Sequence, residues 1–245
     1  MTSPLAGKKA LITGGGTGIG QGVARALAAE GCRLVLCGRR EAPLRETAEA
    51  LGGAPRVRWR ACDVADRAAV EALFAWLRAR DHEPELVAHC AGINVSPRTM
   101  AEVDPADFDR VLATNATGAF NVMRAALPAM RRRRDGLIVN VVSVAGRRMF
   151  PLAGAPYTAA KFAQAALGGF VNMETAAEGV RVTNLYPGEV NTPILDQRPE
   201  PPPPEQRARM LQPEDFGALV VCLARLPARA LVSDLVITPT YMPQP

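Results

Sequence analysis

Short apolar runs alternate along the chain with longer segments of helical periodicity. The apolar runs predict seven strands, at residues 9–13, 33–37, 56–62, 86–89, 137–142, 180–186 and 231–237. The segments between them predict helices at residues 18–30, 42–51, 67–80, 105–133, 155–177 and 213–226. Strands that alternate with helices indicate right-handed crossovers and a parallel sheet covered on both faces. The near-continuous apolar run at residues 137–142 agrees with a strand buried on both faces.

The composition favours one α/β domain. The chain has 245 residues, of which 48% are hydrophobic and 22% charged, as is typical of a globular protein. We therefore expect a single domain over residues 1–245. The one compositional break is the proline-rich segment 198–205, which is too short to link two domains. We expect residues 191–211 to form a surface loop or lid over a site.

Charge and hydropathy limit the classes of partner. The net charge of +5 would suit an anionic partner. However, the one basic run, residues 131–134, lies at the end of a predicted helix, where cations suit the helix dipole. No nucleic-acid motif accompanies this run, so we expect no nucleic-acid partner. No stretch reaches the ~18 apolar residues of a membrane span, so we expect no membrane partner.

Cysteine and histidine usage predicts neither disulfides nor a metal site. The five cysteines are odd in number and contain no C-x-x-C pair. The two histidines, His82 and His89, are too few for a His-rich metal site. Because the N-terminus also lacks an apolar leader, we expect a reducing, cytoplasmic setting.

A glycine-rich turn joins the first strand to the first helix. Its sequence, T-G-G-G-T-G-I-G at residues 13–20, spaces Gly14, Gly18 and Gly20 as G-x-x-x-G-x-G. Glycines let the backbone approach a phosphate closely, and the helix N-terminus offers free N–H groups. A tight strand–helix turn with no ligand would not need so many glycines. The turn therefore predicts a dinucleotide site.

The end of the second strand indicates which dinucleotide. An acidic residue at this point binds the ribose 2′-OH of NAD, whereas an arginine suits the 2′-phosphate of NADP. This chain carries Arg39 and Arg40 there, with no acid before Glu41. We predict a preference for NADP(H), with NAD(H) possible. The alternative is that both arginines are only solvated loop charges.

Tyr157 and Lys161 form a candidate proton-handling pair. Residues four positions apart share one face of a helix. An ammonium beside a phenol lowers the phenol pKa from about 10, so that the tyrosine can act as a general acid or base. From the spacing alone, an exposed amphipathic helix would be the preferred interpretation.

Together with Ser143, these motifs occur in the order found in the short-chain dehydrogenase/reductase family, which the chain resembles over residues 5–240. Further agreement comes from Asp63-Val64 after the third strand, Asn115 within T-N-A-T-G, and P-G-E-V-N-T-P at residues 187–193. The resemblance implies a Rossmann-type, doubly wound, three-layer αβα fold. It also implies a seven-stranded parallel sheet in the order 3-2-1-4-5-6-7.

The resemblance implies a catalytic group of Asn115, Ser143, Tyr157 and Lys161. Tyr157 would exchange a proton with the carbonyl or alcohol oxygen, which Ser143 would position. Lys161 would lower the tyrosine pKa and hold the nicotinamide ribose, and Asn115 would anchor a relay water. The implied cofactor-binding residues are Gly14, Gly16, Thr17, Gly18, Ile19, Gly20, Arg39, Arg40, Asp63, Val64, Ala91, Gly92, Tyr157, Lys161, Pro187, Gly188, Val190 and Thr192.

The resemblance leaves the substrate open. It implies an oxidoreductase for a small hydroxy acid, a 3-oxoacyl compound or a simple ketone. Arg147 and Arg148 would either meet an acidic substrate group or face solvent. His89-Cys90 stand where the family usually has asparagine, which we expect to affect local stability more than catalysis. The alternative function is a non-catalytic dinucleotide-binding regulator or scaffold. Relatives pair through the helices at 105–133 and 155–177, which implies a homotetramer or homodimer.

Overall fold

The centre of the molecule is a seven-stranded sheet, seen in a computed structural model that describes residues 3–242. Every neighbouring pair of strands is parallel, in the order β3-β2-β1-β4-β5-β6-β7. This order confirms the predicted fold class. The strands are β1 (Lys9–Thr13), β2 (Arg33–Gly38), β3 (Val57–Ala61), β4 (Leu86–His89), β5 (Gly136–Val141), β6 (Val180–Pro187) and β7 (Asp234–Ile237).

Helices cover both faces of the sheet. Successive side chains of β2 alternate between two hydrophobic cores, with Leu34 and Leu36 in one and Val35 and Cys37 in the other. The first core lies under α1, α2 and α8, and the second lies under α3 and α5. The helices are α1 (Gly18–Ala29), α2 (Glu41–Ala50), α3 (Arg67–Arg78), α4 (Pro105–Leu112), α5 (Gly118–Arg133), α6 (Ala155–Thr175), α7 (Pro204–Arg209) and α8 (Pro213–Arg225).

The helix predicted at residues 105–133 is interrupted. A π-helical turn, Ala113–Thr117, separates α4 from α5. Within it, the Asn115 side chain accepts a hydrogen bond from the Ile93 N–H at 2.8 Å and donates one to the Ile93 carbonyl at 2.9 Å. These bonds tie the wide turn to the loop after β4. A helical hydrophobic period cannot reveal such a turn, although π turns are frequent at functional sites.

The segment predicted as a loop or lid contains helical structure. A 3-10 turn, Pro193–Gln197, is followed by the short helix α7. Both begin with a proline, whose fixed φ suits the first helical position. In this segment the prolines therefore lie at the starts of helical turns as well as in the loop between them. The segment is anchored at its ends by an isolated bridge between Val190 and Leu211.

The helix α6 packs on the sheet with one face and exposes large apolar side chains on the other. Gly168 packs on its own sheet, because a Cβ there would lie 2.1 Å from the Asn184 Oδ1. Gly169 faces open space, and Phe170 and Met173 are 64% and 83% exposed. A cavity of about 610 Å³ lies between α3, α5 and α6. Among residues 3–242, no helix combines the length and the apolar character needed to cross a membrane.

The burial of His82 predicts that the folded protein loses stability in mild acid. It is 1% exposed, and neither ring nitrogen has a hydrogen-bond partner within the described part of the chain. Burial, aided by the charge of Arg33, lowers its pKa to about 4, and burial lowers that of His89 to about 3. In the unfolded chain the His82 imidazole binds a proton as the pH falls below ~6.5. The stability that depends on its neutral form is therefore complete above that pH and is lost as the pH falls towards 4.

We expect each histidine to remove about 2 kcal/mol of unfolding free energy between pH ~7 and pH ~5. Glutamine does not titrate, so His82→Gln should keep only the loss of unfolding free energy that His89 causes. This is about half of the loss that the two histidines together cause in the wild type. Urea unfolding at the two pH values measures this difference. A variant that loses as much stability as the wild type would contradict the assignment to His82.

Candidate active site

The glycine-rich turn between β1 and α1 is shaped by close backbone approaches. Gly14 and Gly18 adopt φ values of +66° and +53°, which residues with a side chain rarely adopt. A Cβ on Gly20 would lie 2.3 Å from the Gly14 carbonyl oxygen. Thr17 precedes α1 without a side-chain cap, so the first N–H groups of the helix are not bound by its hydroxyl. This geometry leaves a helix N-terminus suited to an anion.

A cavity of about 140 Å³ lies beside this turn, at the carboxyl ends of β1 to β4. Ligands of open α/β sheets bind at this edge. The cavity is lined by nine of the predicted cofactor residues: Gly14, Gly16, Thr17, Arg39, Arg40, Asp63, Val64, Ala91 and Gly92. The sequence did not predict the other lining residues, which are Gly38, Pro43, Leu44, Cys62, Ile93 and Thr114.

The charges around the cavity fit a phosphorylated dinucleotide. Arg39 and Arg40 are exposed, and neither forms an ion pair with another residue of the 3–242 range. Two guanidinium groups and a helix N-terminus thus border one cavity with their donors available. Asp63 is oriented by the Ala65 N–H, which donates to its Oδ1 at 3.0 Å.

Four further predicted cofactor residues, Pro187, Gly188, Val190 and Thr192, lie near the start of the 191–211 segment. Thr192 lies against the turn, because a Cβ on Gly18 would lie 3.1 Å from its Cγ2. Pro187 ends β6, and the Gly188 N–H donates to the Ile237 carbonyl at 2.8 Å. The side chains of Ile19 and Val190 pack in the hydrophobic core beneath the turn.

The structure brings the four predicted catalytic side chains together. Ser143 follows β5, and its hydroxyl lies close enough to the phenol of Tyr157, in the first turn of α6, to act on the pKa of that phenol. The Lys161 Nζ lies 5.4 Å from the centre of the Tyr157 ring. A Cβ on Gly92 would lie 3.4 Å from the Asn115 Oδ1 and 3.5 Å from the Lys161 Nζ. Since Gly92 also lines the cavity, the predicted catalytic group adjoins the predicted cofactor site.

The pKa of Tyr157 differs from the sequence-based expectation. Burial raises it to about 12, although the nearby Ser143 hydroxyl and the charge of Arg98 act in the opposite direction. Burial also lowers the pKa of Lys161 to about 7. The expectation of a lowered phenol pKa is therefore wrong for this structure. Helical spacing shows that two groups are neighbours, but it does not show how far both are desolvated.

Gln164 is a buried contact of Lys161 that the sequence analysis missed. The Lys161 Nζ donates to the Gln164 Oε1 at 2.7 Å and to the Val141 carbonyl at 3.1 Å. The Gln164 Nε2 donates to the Asn140 Oδ1 at 2.7 Å, and the Asn140 Nδ2 donates to the Asn184 Oδ1 at 2.8 Å. Three amides from β5, α6 and β6 thus form a network beneath the lysine. The available signal was a glutamine on the buried face of a helix, three residues after Lys161.

His89 and Cys90 serve the packing of the site. The hydroxyl of Thr13 lies 3.0 Å from the His89 Nδ1 and accepts from the N–H groups of Cys90 and Ala91, each at 3.1 Å. The lowered pKa of His89 keeps its imidazole neutral. Burial raises the pKa of the Cys90 thiol to about 12, which makes it a poor nucleophile.

Comparison with known proteins adds independent evidence. A family model described as short chain dehydrogenase matches residues 8–202. Sulfoacetaldehyde reductase 2 from Chromohalobacter salexigens is 34% identical over 236 residues, which cover 94% of this chain and 93% of that protein. The structure of an alcohol dehydrogenase from Thermococcus sibiricus, complexed with 5-hydroxy-NADP, aligns with a TM-score of 0.86 at 28% identity, over 97% of this chain and 99% of that chain.

Two other relatives are considerably longer than this chain. Glycine betaine reductase ATRR from Emericella nidulans is 32% identical over 98% of this chain, which spans 19% of that protein. Sex determination protein tasselseed-2 from Zea mays is 38% identical over 80% of this chain, which spans 59% of that protein. From the extent of the family match and these identities, the chain belongs to the short-chain dehydrogenase family of oxidoreductases.

Proposed function

We propose that this protein interconverts a carbonyl group and a secondary alcohol by hydride transfer with NADP(H). The observation that carries the proposal is the position of Gly92. This residue lines the cofactor cavity and borders both Asn115 and Lys161. A proton-handling group and a phosphate-binding cavity therefore share one wall.

In this proposal Tyr157 is the acid and base. Its pKa of about 12 keeps the phenol protonated near neutral pH, so the proton that a reduction would transfer is present on Tyr157. Ser143, whose hydroxyl is close enough to act on the pKa of the phenol, would bind the same oxygen. Lys161 would hold the nicotinamide ribose, and Asn115 would anchor a water that links Lys161 to solvent. The cofactor supplies the hydride when bound.

The proposed cofactor preference is for NADP(H). It is supported by Arg39 and Arg40 at the cavity and by the absence of an acid at the end of β2. Residues 191–211 are proposed to cover the substrate, because Thr192 lies against the glycine turn and the 3-10 turn follows directly. The proposed substrates are small carbonyl compounds or hydroxy acids, in line with the sulfoacetaldehyde reductase relative.

A substrate panel tests the proposal. Ketones, aldehydes, β-keto acids and alcohols are incubated with the matching NADPH or NADP⁺, and absorbance of the nicotinamide ring is followed. We expect turnover of at least one small carbonyl compound with NADPH. Tight binding of NADPH without turnover on the whole panel would instead support the regulator or scaffold that uses the same fold without catalysis.

We also propose a homotetramer that pairs through α5 and α6. The exposed Phe170 and Met173 on α6, and the apolar cavity between α3, α5 and α6, support an interface on this side. We expect sedimentation of the protein at micromolar concentration to give a mass about four times that of one chain. A single species of one chain would contradict this proposal.

A further inference from the structure

Arg98 lies between the catalytic helix and the 191–211 segment. It is 6% exposed, in the loop that leads from β4 to α4. Its backbone carbonyl accepts from the Ala155 N–H at 3.1 Å, at the start of α6. Its aliphatic stem packs on Gly154, where a Cβ would lie 2.7 Å from it. Arg98 is therefore fixed against the turn of helix that carries Tyr157.

The guanidinium of Arg98 makes few of its hydrogen bonds to protein. The Nη1 donates to the Leu152 carbonyl at 3.2 Å, and the Nη2 donates to the Gln197 carbonyl in the 3-10 turn. The Nε is buried and has no partner in the described structure. A guanidinium has five N–H donors, so these two bonds leave the larger part of its donor capacity available.

The charge of Arg98 has no protein counter-ion within residues 3–242. Its neighbour Arg198 does have one, since its Nη2 lies 2.9 Å from the Glu189 Oε1. Burial and then the nearby charge of Arg198 lower the pKa of Arg98. A buried cation without a partner is costly to the fold, and such groups concentrate at functional sites.

We propose that Arg98 binds an anionic group of the substrate, a carboxylate or a sulfonate, so that the substrates are small acidic aldehydes or ketones and the matching hydroxy acids. The planar fork of a guanidinium suits both oxyanions. The inference rests on the proposed function, because it places the anion beside the carbonyl that Tyr157 would protonate. Arg147 was considered above as a contact of an acidic substrate group. Its guanidinium lies 5.2 Å from the centre of the Tyr186 ring.

The competing explanation is that Arg98 only ties the 3-10 turn to the start of α6. Its two carbonyl bonds would serve that purpose. A purely structural arginine would affect charged and neutral substrates alike. An anion receptor would affect only the charged ones, and this difference separates the two explanations.

The test compares each anionic substrate with a neutral isostere. Sulfoacetaldehyde is paired with the aldehyde in which a tert-butyl group replaces the sulfonate, and acetoacetate with the ketone in which an isopropyl group replaces the carboxylate. We expect Arg98→Met to lower kcat/KM for the anionic substrates by roughly 10–100-fold and to change the neutral ones by less than about 3-fold. Arg98→Lys should recover part of the loss. Arg147→Met, which removes the same charge from an exposed arginine, should preserve the wild-type preference.

Two results would overturn the proposal. One is an equal fall of kcat/KM for charged and neutral substrates in Arg98→Met. The other is a wild-type protein that reduces the neutral isosteres as well as the anions. If Arg98→Met does not fold, this wild-type comparison and Arg98→Lys decide the matter.

A binding experiment separates this proposal from the proposed function. Methanesulfonate and acetate, which cannot be reduced, are titrated into the protein–NADPH complex and followed by NADPH fluorescence. Saturable binding that Arg98→Met abolishes supports the anion site even if no carbonyl compound is turned over, in which case the proposed function alone fails. No binding to the wild type would overturn the anion site.

Discussion

Replacing Tyr157 with phenylalanine is expected to reduce kcat by about 10²–10⁴-fold while leaving NADPH affinity near that of the wild type. The substitution removes only the phenolic hydroxyl, and the ring, whose centre lies 5.4 Å from the Lys161 Nζ, stays in place. Steady-state rates on a substrate from the panel and an NADPH fluorescence titration measure the two quantities. Near-wild-type turnover would show that Tyr157 is not the acid.

Tyr241→Phe is the matched control. It makes the same chemical change at an exposed tyrosine whose hydroxyl donates to the Glu189 Oε2 at 2.8 Å. We expect its kcat to stay within about 3-fold of the wild type, because an exposed hydrogen bond contributes little. A fall as large as that of Tyr157→Phe would mean that the loss at Tyr157 cannot be assigned to proton transfer.

Replacing Arg39 and Arg40 together with serine is expected to lower kcat/KM for NADPH by roughly 100-fold or more and to change kcat/KM for NADH by less than about 3-fold. A hydrogen bond to a charged group contributes about 1.5–3 kcal/mol, and both guanidinium groups line the cavity without an ion-pair partner in the described range. Initial rates with each cofactor give the two values, and the single variants apportion the effect.

Arg45→Ser provides the control for loss of charge. Arg45 is exposed on α2, close in sequence to the two arginines but not among the lining residues. It should leave the ratio of the two cofactors unchanged. A wild-type protein that uses NADH as well as NADPH would contradict the preference, whatever the variants do.

The fold was largely predictable because its signals are local and repeated. Each buried strand is a short apolar run, and each crossover helix has its own period, so seven strands and their surrounding helices could be identified. The order of the strands came from the family resemblance and is confirmed. The turn at Gly14, Gly18 and Gly20 was also predictable, since positive φ at Gly14 and Gly18 and a close backbone approach at Gly20 all favour glycine.

Features that depend on distant contacts were not predictable. The π turn at Asn115 follows from bonds to Ile93 in another loop, and the position of Gln164 follows from Asn140 on a neighbouring strand. Arg98 meets Leu152 and Gln197, which are 54 and 99 residues away in the chain. The pKa of Tyr157 likewise depends on burial, which no spacing of two residues can give.

The amides beneath Lys161 bear on the entropy of ligand binding. A long lysine side chain loses up to about 2 kcal/mol of rotamer freedom when it is immobilised. Here the bonds to Gln164 and Val141 immobilise it as part of folding. A ligand that needs this ammonium therefore meets a side chain that is already ordered, and its affinity does not have to offset the loss of freedom. Binding at the ribose end should accordingly resemble docking to a rigid surface.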